Sequence, residues 1–164
     1  MSKKIILIIM ASAVFLASCG QQLNLDAEKA AAKTVVSQIW EAFENQDLDL
    51  LSKTFANDPN MIILGTDEAE RWVGVEAFLE AEKRMFAAFK VEKIVTRDEV
   101  LAIHQSGEVA WFSTLADGDG TTKNGEQIQV RGARITGVVE KRDGRWRIVQ
   151  YHSSIPVAGQ NIEY

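Results

Sequence analysis

The sequence is poor in the residues that build disulfides and metal centres. It has one cysteine, Cys19, and two histidines, His104 and His152, among 164 residues. A single cysteine excludes an internal disulfide, and two histidines without a clustered third ligand are weak evidence for zinc. The Asp-Gly-Asp-Gly stretch at 117–120 fails the calcium-loop pattern because Ile128 stands at the acidic twelfth position. We therefore expect no metal and no cofactor, and we expect residues 117–125 to form a polar connection between strands.

The sequence also lacks a phosphate loop, a dinucleotide fingerprint and a Gly-x-Ser-x-Gly nucleophile motif. Basic residues are scattered, with 18 Lys and Arg against 23 Asp and Glu and a net charge of −5. An acidic chain without a basic run argues against nucleic acid as a partner. With 46% hydrophobic and 25% charged residues, the chain has the composition of one globular domain behind a short leader.

The first residues have the parts of a secretion signal in the usual order. Lys3 and Lys4 precede an apolar run, Ile5 to Leu16, that is too short to span a bilayer. The following Leu-Ala-Ser-Cys resembles the bacterial lipobox, in which cleavage precedes a cysteine that is then lipidated. We expect a signal peptide at 1–18, a lipid on Cys19 and attachment to a membrane of the bacterial cell envelope. An ordinary secretory signal with a chance cysteine, or a cytoplasmic chain with an apolar start, is the alternative.

After a tether at 19–25, the pattern predicts three helices followed by long strands. Residues 27–45 have apolar residues at helical spacing, Asp47 caps a shorter helix, and a third helix covers about 75–90. The third helix has an apolar stripe of Phe78, Ala81, Met85 and Phe89. Helices and strands that segregate along the chain indicate an α+β domain with a curved antiparallel sheet.

The last strand begins after the hairpin signal Asp143-Gly144 and alternates with a period of two. Unbroken alternation puts His152 on the same face as the core residue Trp146. This pattern predicts a sheet that packs a core at one end and lines a cavity at the other.

Three segments together resemble the nuclear transport factor 2-like superfamily and, within it, the SnoaL-like branch. They are Gly65-Thr66-Asp67 with Trp72-Val73-Gly74, then Arg134-Ile135-Thr136, then Asp143-Gly144-Arg145-Trp146-Arg147-Ile148 through His152-Ser153-Ser154. The last segment is also similar to the end of the calcium/calmodulin-dependent protein kinase association domain. The resemblance covers residues 26–157, leaves 158–164 as a tail, and implies a cone of curved sheet around a long N-terminal helix with a pocket at its open end. Members include isomerases, dehydratases, polyketide cyclases and non-catalytic binding domains, so the fold alone does not fix the function.

Five residues are the candidate ligand contacts. His152 is also a candidate acid or base, because imidazole titrates near neutral pH, and Asp67 in the polar loop is a candidate carboxylate partner. A packed histidine and a solvated loop are the alternatives. The expected cavity residues, of which Arg134 would contact an anionic group, are Trp40, Trp72, Trp111, Arg134 and His152.

Two classes of function remain open. The first is a lipid-anchored module that binds a small, partly apolar ligand or a partner subunit, and the second is an isomerase, dehydratase or cyclase that uses His152. A titratable pair inside one cavity would favour the enzyme. A homodimer is also expected through the free face of the sheet, with Val130, Val139, Val149 and Tyr151 as contributors.

Overall fold

The computed structural model describes residues 23–157, which form three helices and one six-stranded sheet. The α+β prediction, with a curved sheet around a long first helix, is confirmed. The elements are α1 (Leu25–Asn45), α2 (Leu48–Thr54), β1 (Ile62–Leu64), β2 (Arg71–Val73), α3 (Val75–Ala88), β3 (Phe89–Ile103), β4 (Val109–Thr122), β5 (Gln127–Arg142) and β6 (Arg145–Ser154). The predicted signal peptide, Cys19 and the tail at 158–164 lie outside the described residues. Within residues 23–157, no helix combines the length and the hydropathy needed to cross a bilayer.

The sheet has the strand order β2-β1-β6-β5-β4-β3 and is mixed rather than wholly antiparallel. β1 runs parallel to β6, with Ile63 opposite Tyr151 and Leu64 opposite His152. Strands joined by a tight hairpin must run antiparallel, but β1 and β6 are far apart in sequence, so their connection permits a parallel pair. The expected polar connection at 117–125 is also corrected, because β4 continues to Thr122 and only 123–126 form the turn.

α1 lies in the concave face of the sheet and is fixed at both ends by side chains. Near its start, Glu28 accepts hydrogen bonds from Lys141 Nζ and from Trp146 Nε1, the latter over 3.0 Å. At its end, Gln46 adopts a left-handed conformation and its side-chain amide donates to the carbonyls of Phe86 and Phe89. These contacts hold the buried row of α1 against the sheet and set the distance between α1 and α3.

The sheet bends because its long strands contain bulges. In β6 the register steps from Val138 opposite Gln150 to Val139 opposite Ile148, which leaves Val149 as an extra residue. In β5, Gly132 has a φ of 65° and its N–H donates to Asp117 on β4 over 2.7 Å. An extra residue in one strand of an antiparallel pair bends the sheet locally and shifts the facing of the side chains that follow. The bend produces the open end of the cone, and the shift decides which residues line it.

Candidate functional site

A cavity of about 590 Å³ lies between α1, α3 and the concave face of the sheet. Its wall is mainly aromatic and aliphatic, and its mouth lies near Ile128 and Ile155, both of which are partly exposed. The main apolar contributors from the helices and the short strands are Trp40, Phe43, Trp72, Phe78 and Met85. A pocket of this size with few polar groups has the usual form of a small-molecule site.

The last turns of α1 supply Trp40 and Phe43 to the cavity. Glu44 accepts a hydrogen bond from the N–H of Ile94 over 2.7 Å, which joins this end of α1 to β3. Phe43 packs edge-on against Phe86 of α3, with ring centroids 6.0 Å apart. The aromatic wall is therefore built on elements that are tied to each other and does not depend on a loop.

α3 supplies the one carboxylate that is buried in the wall. The helix starts at Val75 after Gly74, which has a φ of 80° and whose N–H donates to the carbonyl of Met61. Phe78 and Glu82 are four residues apart, and Met85 follows three residues later, so they share one face of the helix. This face looks into the cavity, and Glu82 is carried into an apolar environment by its neighbours on the helix.

Glu82 is only 8% exposed, and its Oε2 is buried without a hydrogen-bond partner within residues 23–157. Burial, together with the nearby negative charge of Glu70, raises the pKa of Glu82 to about 7. Both effects disfavour the ionised form. Near neutral pH, Glu82 therefore exists in both protonation states and can either donate or accept a proton.

Two other buried polar groups belong to the same cavity. Tyr151 lies on β6, and burial together with the charge of Glu82 raises the pKa of its phenol, which keeps Tyr151 in the O–H form. Trp40 Nε1 is buried and donates to no acceptor within the described part of the chain. Buried polar atoms are almost always paired, so unpaired Trp40 Nε1 and Glu82 Oε2 in one cavity are suited to a polar group of a ligand.

The rim of the cavity is acidic. Glu70 accepts hydrogen bonds at Oε2 from the N–H groups of Thr66 and Asp67, over 2.6 and 3.1 Å, and it lies against Gly65. Asp67, a predicted catalytic residue, does not line the cavity. It is exposed, and its Oδ1 accepts from the N–H of Ala69 within the loop. The loop thus brings Glu70 to the cavity and leaves Asp67 in solvent.

His152 lies outside the cavity, on the other face of β6. The residues of this segment that line the cavity are Tyr151, Ser153 and Ile155. The sequence predicted that His152 would face the same way as Trp146, and this facing is wrong because the bulge at Val149 breaks the alternation. His152 is partly buried and lies beside Thr136 and Leu64 in the sheet.

Of the five predicted ligand contacts, Trp40 and Trp72 line the cavity and Trp111, Arg134 and His152 do not. Trp111 is 50% exposed, opposite Val138 on β5, and Arg134 is exposed opposite Leu115. In each case the register places the side chain on the outer face of the sheet. Arg134 therefore gives the cavity no anion contact.

Sequence reasoning missed Glu82, although one signal for it was present. Glu82 lies four positions after Phe78 and three before Met85, so it falls on the apolar stripe of α3. The spacing predicted Ala81 on this stripe, but the buried residue there is Glu82. A charged residue on a buried stripe is a candidate functional residue, since such groups are rarely buried without a partner. The facing of Tyr151 into the cavity depends on the bulge at Val149, so strict alternation along β6 does not give it.

No group of three or more metal-ligating side chains occurs among the residues that the structure describes. The two adjacent acids Asp117 and Asp119 are instead paired with arginines, Arg97 Nη2 over 3.5 Å and Arg131 Nη2 over 2.5 Å. The polar side chains that line the cavity carry carboxyl, phenol, indole and hydroxyl groups.

A model of the SnoaL-like domain family matches residues 32–158. No curated protein matches the chain. Among solved structures, a nuclear transport factor 2-like superfamily protein from Salmonella enterica is 17% identical with a TM-score of 0.72, covering 86% of this chain and 100% of its own. A ketosteroid isomerase-like protein from Erwinia carotovora atroseptica is 17% identical with a TM-score of 0.68, covering 79% of this chain and 97% of its own. A candidate calcium/calmodulin dependent protein kinase II association domain from Xanthomonas campestris is 23% identical with a TM-score of 0.64, covering 77% and 87%. At these identities the similarity shows the fold alone.

Proposed function

The chain belongs to the SnoaL-like domain family, and we propose that its cavity binds a small, largely apolar molecule whose polar group meets Glu82. The observation that carries this proposal is the unpartnered, buried Oε2 of Glu82 in a mainly apolar wall. A buried polar atom without a partner costs roughly 1–3 kcal/mol, and a ligand that supplies the missing hydrogen bond recovers part of this cost. Aromatic walls supply the nonspecific part of the affinity.

The test is a thermal-shift screen of small aromatic and alicyclic compounds against the protein. A ligand that binds only the folded state raises the melting temperature by mass action. Compounds found with the wild type should lose their effect in Glu82→Gln or Tyr151→Phe and keep it in His152→Ala. Loss of binding in His152→Ala with retention in Glu82→Gln would place the site on the outer face and refute the proposal.

Proton transfer is a second candidate function, and the pKa of Glu82 near 7 favours it. A group that titrates near the working pH is an efficient general acid or base. Ionised Glu82 would take a proton from a carbon next to a carbonyl group of the substrate. The O–H of Tyr151 would donate a hydrogen bond to the enolate oxygen, and Glu82 would then return the proton to a carbon of the substrate. This chemistry is that of an isomerase, dehydratase or cyclase.

The measurement for this candidate is exchange of solvent deuterium into cyclic ketones, followed by proton NMR. We expect exchange that depends on the protein, disappears in Glu82→Gln and slows in Tyr151→Phe. Exchange that persists unchanged in Glu82→Gln would exclude Glu82 as the base.

We also propose that a lipid on Cys19 attaches the domain to the cell envelope. Four residue steps separate Cys19 from Leu23, so Leu23 would lie within about 14 Å of the bilayer surface. Leu23 packs over Gly107 at the end of the domain where α1 begins, and Trp40 lies about 22 Å further along α1 by its helical rise. The cavity would then be at the end of the domain away from the anchor. Cys19→Ala should abolish labelling by a fatty-acid probe and release the protein from membranes, and unchanged partitioning would refute the anchor.

A homodimer through the outer face of the sheet is the remaining proposal. Three of the four residues first expected at this interface do not lie on the outer face, because Val139 and Tyr151 are buried and Val130 lines the cavity. The fourth, Val149, is partly buried. The outer face instead exposes Val100 and Trp111 by 60% and 50%. Exposed large apolar side chains that are grouped on one face favour a protein contact there.

A further inference from the structure

We propose that the ligand of this cavity is an organic cation, namely an aromatic or alicyclic amine whose ammonium group is held by Glu82 and by the aromatic wall. This inference rests on the proposed binding function and adds the charge and class of the ligand. Three observations support it: the acidic residues that line the cavity, the unpaired Oε2 of Glu82 and the aromatic side chains of the wall.

The lining is acidic and has no compensating base. Four carboxylates line the cavity, and none of the described lining residues is a lysine, arginine or histidine. Asp117 and Asp119 are paired with arginines that lie behind the lining. Glu70 and Glu82 make no ion pair within residues 23–157. The uncompensated charge of the cavity is therefore negative, and it comes from these two acids.

Glu70 and Glu82 have different environments, and this difference determines where a cation is bound. Glu70 lies at the rim, and its Oε2 accepts two backbone hydrogen bonds. Glu82 has a buried oxygen without a donor and feels the negative charge of Glu70. An ammonium group supplies three donors and no acceptor, so it satisfies the free oxygen of Glu82, but not the N–H of Trp40, and it reduces the repulsion between the two acids.

The walls also suit a cation. Trp40 and Trp72 line the cavity together with Phe43, and Trp72 packs against Phe78 with centroids 5.5 Å apart. The faces of tryptophan rings attract cations, most strongly where the cation is removed from water. A carboxylate ligand would meet the same acids with repulsion, and a neutral ligand would gain from the apolar wall but would leave the charge of Glu70 and Glu82 unbalanced.

Three compounds with one hydrocarbon part test the inference, namely naphthylmethylamine, naphthylmethanol and naphthoate. Isothermal titration calorimetry at pH 8 should give the tightest binding for the amine and the weakest for the carboxylate. Glu82→Gln should weaken the amine by about 10- to 100-fold, the loss expected for one buried charged hydrogen bond. The same variant should change the alcohol little. Glu80→Gln, on the exposed side of the same helix, is the matched control and should change neither.

Proton release gives a second readout that a merely structural role of Glu82 would not produce. At pH 6, below the pKa of Glu82, binding of the amine should release about 0.9 proton, and at pH 8.5 almost none. The other titratable groups that face Glu82 are Glu70, Tyr151, Asp117 and Asp119. The lowered pKa of Asp117, held down by the N–H of Gly132 and by Arg97, keeps its carboxyl ionised between pH 6 and 8.5, and the raised pKa of Tyr151 keeps its phenol neutral. Calorimetry in two buffers of different ionisation enthalpy measures the release, which should vanish in Glu82→Gln.

The outcomes separate this inference from the function on which it rests. If the alcohol binds as tightly as the amine, or if proton release persists in Glu82→Gln, the proposal that the ligand is a cation is refuted, while the cavity remains a ligand site. If naphthoate binds best, the charge argument is refuted. If none of the three binds and the wider screen finds no ligand that depends on Glu82, the binding function itself fails.

Discussion

Replacing Glu82 by glutamine should stabilise the protein, and the gain should grow with pH. In the folded protein Glu82 titrates near 7 instead of 4.5, so between these values the folded state binds more protons than the unfolded state. Stability falls with rising pH wherever the folded state is the more protonated one. A shift of this size corresponds to roughly 3 kcal/mol, lost between about pH 4.5 and 7. Glutamine at this position has no such loss.

The assay is urea unfolding of the wild type and Glu82→Gln, followed by far-UV circular dichroism at several pH values from 4 to 8. The difference in the free energy of unfolding, variant minus wild type, should rise by about 3 kcal/mol over this range. Other carboxyl groups titrate in both proteins and cancel in the difference. Glu80→Gln, an exposed position on the same helix, should show no such trend. A difference that stays constant with pH would show that Glu82 is solvated, and the reasoning about the cavity would then be refuted.

Three further predictions concern residues that do not line the cavity. Gly74→Ala should lower the free energy of unfolding by about 1 kcal/mol in urea melts, because the φ of 80° disfavours a β-carbon; an unchanged melt would contradict this. Glu28→Gln should destabilise the protein at pH 7 and progressively less as the pH falls through the folded pKa of Glu28, which its hydrogen bonds with Lys141 and Trp146 hold below the usual range; a loss independent of pH would argue against these bonds. Trp111→Ser should shift the monomer–dimer equilibrium towards monomer in analytical ultracentrifugation. A wild-type protein that is monomeric at high concentration would refute the proposed dimer.

Much of the fold could be predicted from local pattern, and the facing of the site residues could not. The helices and the hairpin at Asp143-Gly144 follow from spacing, caps and turn residues, all of which are local. The facing of His152 depends on a single extra residue, Val149, whose bulge is set by pairing with β5 and has no clear mark in the sequence. A one-residue shift turns every later side chain to the other face. The strand β6 was therefore predicted correctly, but His152 was wrongly placed in the cavity.

The burial of Glu82 could be predicted in part from the sequence. The spacing from Phe78 to Met85 places it on the buried stripe, but the helix pattern alone does not say whether a carboxylate there turns out to solvent or into a cavity. That depends on the gap between α1 and α3, which Gln46 sets through hydrogen bonds to residues 40 and more positions away. Contacts across such distances are absent from local pattern.

The most direct test of the central claim, that the cavity around Glu82 is the ligand site, uses the four tryptophans of the chain. Trp40 and Trp72 line the cavity, Trp111 lies on the outer face and Trp146 is buried beside Glu28 at the start of α1. In protein labelled with ¹⁵N at the indoles, the four N–H resonances can be assigned by single substitutions. Titration with a ligand found by the screen should shift the resonances of Trp40 and Trp72 and leave those of Trp111 and Trp146 unchanged. Shifts at Trp111 with none at Trp40 would contradict the account, because they would place the ligand on the outer face of the sheet.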